Sequence, residues 1–371
     1  MMSLRVPYLT TVKAGTRPPS TSPPTPCLDR STARFSRRSG SVAVANRVDV
    51  IVHPRIHLGL LSMHRESPRL NGGIGFAING PAAQIETSEA GTLTVRDERS
   101  CPMEAAELSQ LQGALEGFLI SRGMERAASI RIFGDMLTHV GLGSATAIRL
   151  GAIEALAILN GCGASRVELV SASGRGGTSG VGINTYFDGG LICDVGKRNE
   201  GQPVLPSSRA DPSRLPLALP ALAMPEWPVL ICIPRLIAPK TQEEEIDFFS
   251  RTAPLPESTS FEAAYVALFD IYASAAESDY AGFCRGVERM QQTAWKRAER
   301  SEYGCALAGI GDALLRAGAD CVGMSSLGPL LFCLAAPAQM NAIAQAARLM
   351  GCDAHQTTPR NCGREIHCHD A

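Results

Sequence analysis

The stretch GRGGTSGVGINTYFDGG, Gly174 to Gly190, combines glycines, hydroxyls and one guanidinium, and carries no acid or base from Gly176 until Asp188. That composition suits an anion. Glycines let backbone N–H groups turn toward one point, and an arginine can grip a phosphate through two parallel hydrogen bonds. Arg175, Gly176, Gly177, Thr178 and Ser179 are therefore candidate phosphate ligands; the alternative is a surface turn with a solvated arginine. A second loop, GLGSAT, runs straight into a helical apolar pattern. Its residues Gly141, Gly143, Ser144, Ala145 and Thr146 would either present free helix N-terminal amides to a ligand oxygen or only make a tight entry turn with a helix cap. A third, GMSSLGP, sets Ser325 and Ser326 between glycines ahead of an apolar run, and is weak evidence alone. None of the three fits a standard motif. The chain has no G-x-x-x-x-G-K-[ST], Thr146 occupies the third glycine of G-x-G-x-x-G, and GMSSLGP is not G-x-S-x-G.

These loops need elements to hold them. RVDVIVHPRIHLGLLSM predicts strands over Val48–Val52 and Arg55–Leu61, split by Pro54. NGGIGFAING predicts an Asn-Gly turn followed by a short apolar strand, and LTVRD and ASIRIFGDM predict two more. Leu108, Leu111, Leu115 and Leu119 share one face of a helix over Glu104–Arg122 that Gly123 closes. After the second loop, Ile148, Ala152, Leu156 and Leu159 mark a helix buried over most of its circumference. Ser144 is its expected N-cap and Asn160-Gly161 its stop. WPVLICIP predicts a strand after a proline-rich link, helices are expected at Phe261–Ala275, Tyr280–Ala298 and Ala338–Met350, and a strand at Leu330–Leu334. The link divides the ordered chain into 47–225 and 226–371.

Composition narrows the function classes. With 371 residues, 45% of them hydrophobic, the chain can bury more than one core. A net charge of −1 argues against a general nucleic-acid binder, and no uninterrupted apolar run reaches a membrane span. Residues 1–46 differ, with seven Lys/Arg, one acid and six prolines. They read as a disordered extension, an upstream start, or an Arg- and Ser-rich transit peptide. The cysteines are scattered without a C-x-x-C, as expected of reduced, buried thiols in the cytoplasm. Cys352, His355, Cys362, His367, Cys368 and His369 crowd the C-terminus, but in no zinc spacing, and read as a loose tail. Glu243, Glu244 and Glu245 read as a solvated face or a helix start, and WKRAER near Trp295 as an exposed helix side.

Three such loops behind the strand motif PRIHLGL together resemble the GHMP superfamily of galactokinase, homoserine kinase and mevalonate kinase. The resemblance implies a two-domain α+β fold, with a ribosomal-S5-like N-terminal domain, a ferredoxin-like C-terminal domain and a ligand cleft between them. The kinases of that superfamily place an aspartate after a PSG-V sequence; here TSGVG puts Gly182 there. Glycine cannot accept a proton, so the kinase reading loses its main catalytic group. RIHLGL, NGGIGFA, VGLGSATA, GRGGTSGVGINTYFDGG, GMSSLGP and RNCGREI resemble more narrowly the β-ribofuranosylaminobenzene 5′-phosphate synthase family of methanopterin biosynthesis. The resemblance implies condensation of phosphoribosyl pyrophosphate with 4-aminobenzoate or 4-hydroxybenzoate, with loss of carbon dioxide and pyrophosphate. It assigns the loop amides of Gly141–Thr146 and Gly176–Ser179 to donor phosphates, with Ser325 and Ser326 completing the pocket. Arg175 is expected at the pyrophosphate or 5′-phosphate, Arg69 at the carboxylate, and Arg55 and His57 at the ribose or the benzoate carboxylate, the alternative for these two being a strand residue facing solvent and a hydrogen-bonded core histidine. Magnesium is expected with the pyrophosphate and a homodimer as the assembly; no metal-ligand cluster is assigned.

Overall fold

A computed structural model describes residues 45–176, 178–206 and 214–370. The readings of residues 1–44 and of Gly177 lie outside the described residues. From the N-terminus come β1 (Arg47–Val52), β2 (Arg55–Ser62), β3 (Arg69–Ala77), β4 (Ala83–Glu89) and β5 (Thr94–Asp97), then helix α1 (Ala105–Arg122) and β6 (Ala128–Gly134). Three helices follow, α2 (Ser144–Leu159), α3 (Arg166–Ser173) and α4 (Val181–Asp188), then β7 (Leu191–Asp194) and the short β8 (Lys197–Arg198). Next are β9 (Val229–Pro234), α5 (Gln242–Thr252) and α6 (Glu257–Tyr265), whose last turn continues as a π-helix over Val266–Tyr272 into α7 (Ala273–Ala276). The chain ends with α8 (Tyr280–Gln292), α9 (Ala294–Ser301), α10 (Gly304–Arg316), β10 (Cys321–Met324), β11 (Leu331–Leu334), α11 (Met340–Leu349), β12 (Cys352–Thr357) and β13 (Glu365–His369).

Three sheets organise these elements. The first runs β13-β1-β4-β6-β5, antiparallel except for the β5–β6 pair. Helix α2 lies on it so closely that a Cβ at Gly151 would stand 2.5 Å from Ile85 Cδ1 and 2.9 Å from Val52 Cγ1. The second sheet is β2-β3-β7, with β8 extending β3. The third runs β10-β11-β9-β12, with α10 and α11 packed on one face. Val229, Ile231, Phe332 and Leu334 of that sheet join Ile56, Leu58, Ile74 and Phe76 of the second in one core. Burial of these apolar side chains, at roughly 1.5–3 kcal/mol each, is what fastens the two halves.

Several expectations change here. The C-terminal residues are not a loose tail: Cys352 is buried in β12, and β13 pairs residue by residue with β1 from Arg47–His369 to Ile51–Glu365. Asn71-Gly72 is not a turn ahead of a strand but a left-handed pair inside β3 (φ 67° and 77°). Its Gly72 has no room for a Cβ, with Asp194 O 2.6 Å away. Ser144 is the first residue of α2 rather than its cap; the cap position is Gly143, at φ 73°. WKRAER is no exposed side, because Trp295, Lys296 and Glu299 are all buried. Among the described residues every cysteine is free, and Cys193, Cys232, Cys284, Cys321, Cys333 and Cys352 are buried. No helix among the described residues is long and apolar enough to cross a membrane.

Candidate active site

One cleft gathers the N-terminus of β2, the entry to α2, the entry to α4, the turn after β10 and the first turn of α5. Gly141 and Gly328 make this possible. A Cβ on Gly141 (φ 106°) would lie 2.3 Å from Ser325 O, and one on Gly328 would lie 2.1 Å from Val140 O, so the first and third loops touch backbone to backbone. Ser325 stitches them further: its hydroxyl donates to Gly141 O at 2.7 Å and accepts from the His57 N–H at 3.0 Å. Helices α2 and α4 both begin here without a side-chain cap. At α2 the Ser144 and Ala145 N–H groups and the positive dipole end are free for an anion, whereas at α4 Gly180 N already donates to Asp194 Oδ2 and Val181 N to Ser179 Oγ.

The cleft's charges come from side chains at several depths. Arg55 donates through Nη1 to Gly141 O, while its Nε is buried without any partner. Burial pulls its guanidinium down to about 10, so it stays charged at neutral pH. Arg175 is lowered by burial too, against the opposing pull of Glu245 and Glu107. Glu107 and His139 pair at 2.9 Å, which lowers the carboxyl and raises the imidazole. Glu245, in the first turn of α5, is raised by burial while Arg175, His139 and Arg55 pull it back. Behind the third loop, Lys296 Nζ donates to Glu299 Oε2 at 2.6 Å, Met324 O at 2.8 Å and Ser326 O at 3.2 Å. Lys240 also lines the opening.

The structure brings together Arg55, His57, Gly141, Gly143, Ser144, Ala145, Thr146, Arg175, Gly176, Thr178, Ser179 and Ser326 around this cleft. Ser325 is fully buried behind it and serves the loop contact instead of the opening. Arg69 does not reach the cleft: its Nε donates to Val195 O at 2.9 Å and its Nη2 to Gly196 O at 2.6 Å, holding the turn after β7. Asp188 is also elsewhere, paired with Arg166 at 2.5 Å. Residues that the sequence reading left out are Glu107, His139, Lys240, Glu245, Lys296 and Glu299. Only the last pair had a local signal. Trp295 marks a buried helix face, and Glu299 four residues on lies on that face, where it accepts from Trp295 Nε1 at 2.8 Å.

No protein-family model matches the chain. Among curated proteins, β-ribofuranosylphenol 5′-phosphate synthase of Archaeoglobus fulgidus is 30% identical over 285 residues, covering 76% of this chain and 85% of that protein. The chain belongs to the β-ribofuranosylphenol 5′-phosphate synthase family. The Methanothermobacter thermautotrophicus member is 29% identical over 300 residues, covering 80% of this chain and 91% of its own. Solved structures place the synthase chain in the GHMP-kinase fold. Homoserine kinase from Cytophaga hutchinsonii superposes with a TM-score of 0.64 at 18% identity, covering 89% of this chain and 100% of the kinase. L. major mevalonate kinase superposes with a TM-score of 0.61 at 14% identity, covering 87% of this chain and 100% of the kinase.

Within this fold the synthase chain has room for the side chain it lacks. Gly182 stands in the first turn of α4 and lines the cleft; a Cβ there would meet only Thr146, at 3.7 Å, an ordinary contact. Packing does not demand glycine at this position, so the missing carboxylate is a matter of chemistry.

Proposed function

We propose that this protein is a ribosyl-arene phosphate synthase that condenses phosphoribosyl pyrophosphate with 4-hydroxybenzoate or 4-aminobenzoate. The bond from C1 to pyrophosphate breaks, a bond from C1 to the carboxylate-bearing ring carbon forms, and carbon dioxide leaves its bonding pair to the ring. The donor carries pyrophosphate on the α face and the product its arene on the β face. One inverting displacement through an oxocarbenium-like state accounts for both.

The observation that carries this reading is the half-buried Arg55, charged and with its Nε buried and unpartnered, beside the uncapped N-terminus of α2. A guanidinium with a buried, unpaired N–H is costly unless its partner arrives with the ligand. Donor phosphates supply that partner, and charge growing on the departing pyrophosphate strengthens the interaction as the bond breaks. The amides of Ser144, Ala145, Thr178 and Ser179 would share the load, with Arg175 as a second guanidinium. Carbon-carbon bond formation here needs no strong base, because the para substituent activates the ring and decarboxylation restores aromaticity. The empty corner at Gly182 fits that requirement and disfavours phosphoryl transfer to an alcohol.

Magnesium would enter as part of the pyrophosphate substrate. Glu107 Oε2 is buried without a partner and Glu245 lines the same cleft, but among the described residues no group of three His, Cys, Asp or Glu could hold an ion alone. Phosphate oxygens and water must complete such a shell. Methanopterin biosynthesis, a cytoplasmic location and a homodimer complete the reading. The test is incubation with phosphoribosyl pyrophosphate and ring-carboxyl-labelled 4-hydroxybenzoate or 4-aminobenzoate. Labelled carbon dioxide released in step with pyrophosphate is the expected result. Turnover of ATP with an alcohol, or donor binding with no labelled gas, would reject it.

A further inference from the structure

His57 lies on β2, and its ring reaches back across the sheet rather than only into the cleft. Its Nε2 stands 3.3 Å from Ser179 Oγ, and Ser179 Oγ stands 3.0 Å from Oδ2 of Asp194, the last residue of β7. Gly73 of β3 leaves the gap through which they meet: a Cβ there would lie 2.7 Å from Ser179 Oγ and 2.8 Å from His57 Nε2. Asp194 is fully buried, and Gly180 N and Gly196 N each donate to it at 3.0 Å.

Counting hydrogens decides the direction of this chain. Burial raises Asp194 to about 7, while hydrogen bonds from Gly196 N on Oδ1 and from Ser179 Oγ and Gly180 N on Oδ2, with the charge of Arg69, hold it down, so above that pH it is ionised. The ionised carboxylate satisfies all of its neighbours and takes the Ser179 hydroxyl proton. Ser179 Oγ then has two lone pairs left. Val181 N donates to one at 3.2 Å, and the other can only accept from His57. With Asp194 ionised, His57 must therefore carry its ring proton on Nε2. Its Nδ1 has no protein hydrogen-bond partner among the described residues and is not sealed from water. Burial and the nearby charges of Arg55 and Lys296 hold the imidazole well below its ordinary value, so it is neutral.

We propose that Asp194, acting through Ser179, is a positioning residue that fixes His57 as the Nε2–H tautomer and leaves Nδ1 as a hydrogen-bond acceptor for a substrate O–H or N–H. An acceptor nitrogen cannot bind phosphate or carboxylate, so His57 does not share the anion-binding work of Arg55. Two substrate groups have the required chemistry: a ribose hydroxyl and the para hydroxyl or amino group of the arene. Held by Nδ1, the para group could release positive charge as the ring attacks, and no net proton need be removed. The inference deepens the proposed reaction and rests on it only for the identity of the donor group.

The test is nitrogen NMR of the full chain labelled with ¹⁵N-histidine, with the His57 signals assigned by their loss in His57→Gln. A protonated Nε2 and a bare Nδ1 are expected in the unaltered protein above about pH 8, where Asp194 is ionised. Ser179→Ala should abolish that preference and lower kcat by roughly 10- to 100-fold, whereas Ser179→Thr, which keeps the hydroxyl, should retain both. Gly73→Ala, which wedges the pair apart, should reproduce the tautomer change without touching either polar group. Ribose 5-phosphate and 4-hydroxybenzoate, titrated separately, identify the donor by which of them moves Nδ1. A proton found on Nδ1, or a tautomer indifferent to Ser179→Ala, would overturn the relay, and an Nδ1 unmoved by both ligands would overturn its role toward substrate. The labelled-carboxyl assay is independent of this measurement: an inactive enzyme with the expected tautomer would reject the reaction and leave the relay standing.

Discussion

Arg55 lines the cleft half-buried and Lys296 lies wholly buried behind it, and the two cations are treated in opposite ways. Lys296 has a full set of partners: one carboxylate and two carbonyls, all within 3.2 Å. Arg55 has one carbonyl contact and an orphaned Nε, and among the described residues no carboxylate touches it. Glu245 and Glu299 reach it only through space. Burying a charge is tolerated in a folded protein when its partners are built in, as at Lys296. Where they are not, the missing counter-charge belongs to something that comes and goes. Lys296 thus supports the third loop, and Arg55 waits for a ligand.

Removing each charge should separate the two roles. Lys296→Met leaves the buried Glu299 without its cation and strips the donor from Met324 O and Ser326 O, so a loss of about 3–5 kcal/mol is expected in denaturant unfolding. A variant as stable as the parent would make the pair dispensable and collapse the contrast. Arg55→Met removes a charge that nothing in the fold neutralises. Its stability should hold or rise, while kcat/KM for the donor falls by about 100- to 1000-fold. If Arg55→Met instead unfolds the protein with no separate effect on turnover, Arg55 is structural like Lys296.

The contrast also shows what the sequence could and could not disclose. Glycine loops were legible because tight turns and backbone contact demand glycine locally, as at Gly141, where Ser325 O excludes any side chain. Helices α1 and α2 were legible from their apolar spacing. Helix α4 was not: eight residues beginning at Val181 inside a glycine-rich stretch offer too short a period to stand out. The run Glu243–Glu245 did start a helix, but its three acids have different surroundings. Glu244 closes a capping box with Thr241, whereas Glu245 turns into the cleft. Nothing within α5 distinguishes them, because the difference is made by Arg175 and His139 from distant segments. The same holds for Asp194, whose partners come from Ser179, Gly180 and Gly196. Long-range contacts, not residue types, assign those roles.

Placing an acid where the cleft lacks one sharpens the comparison further. Gly182→Asp should fold, since a side chain there meets only Thr146. Its carboxylate would stand among the amides proposed for pyrophosphate, so donor KM should rise by about tenfold with little change in thermal midpoint. An unchanged KM would mean that the donor phosphates sit elsewhere.

The smallest effect concerns a pair whose partners are present but half-buried, between the extremes of Arg55 and Lys296. Glu107 is lowered by its hydrogen bond to His139, and His139 is raised by the same bond. The signs define a window. Glu107 contributes stability above its unfolded value, near 4.5, and loses it as pH falls through its lower folded value. His139 contributes fully below its unfolded value, near 6.5, and loses it as pH rises through its higher folded value. Their joint contribution should therefore be largest between about pH 5 and 6 and fade on either side. His139→Gln should flatten that part of the stability profile by about 1 kcal/mol or less, because solvent screens the pair. A profile that keeps its shape in His139→Gln would show that water, and not His139, already satisfies Glu107.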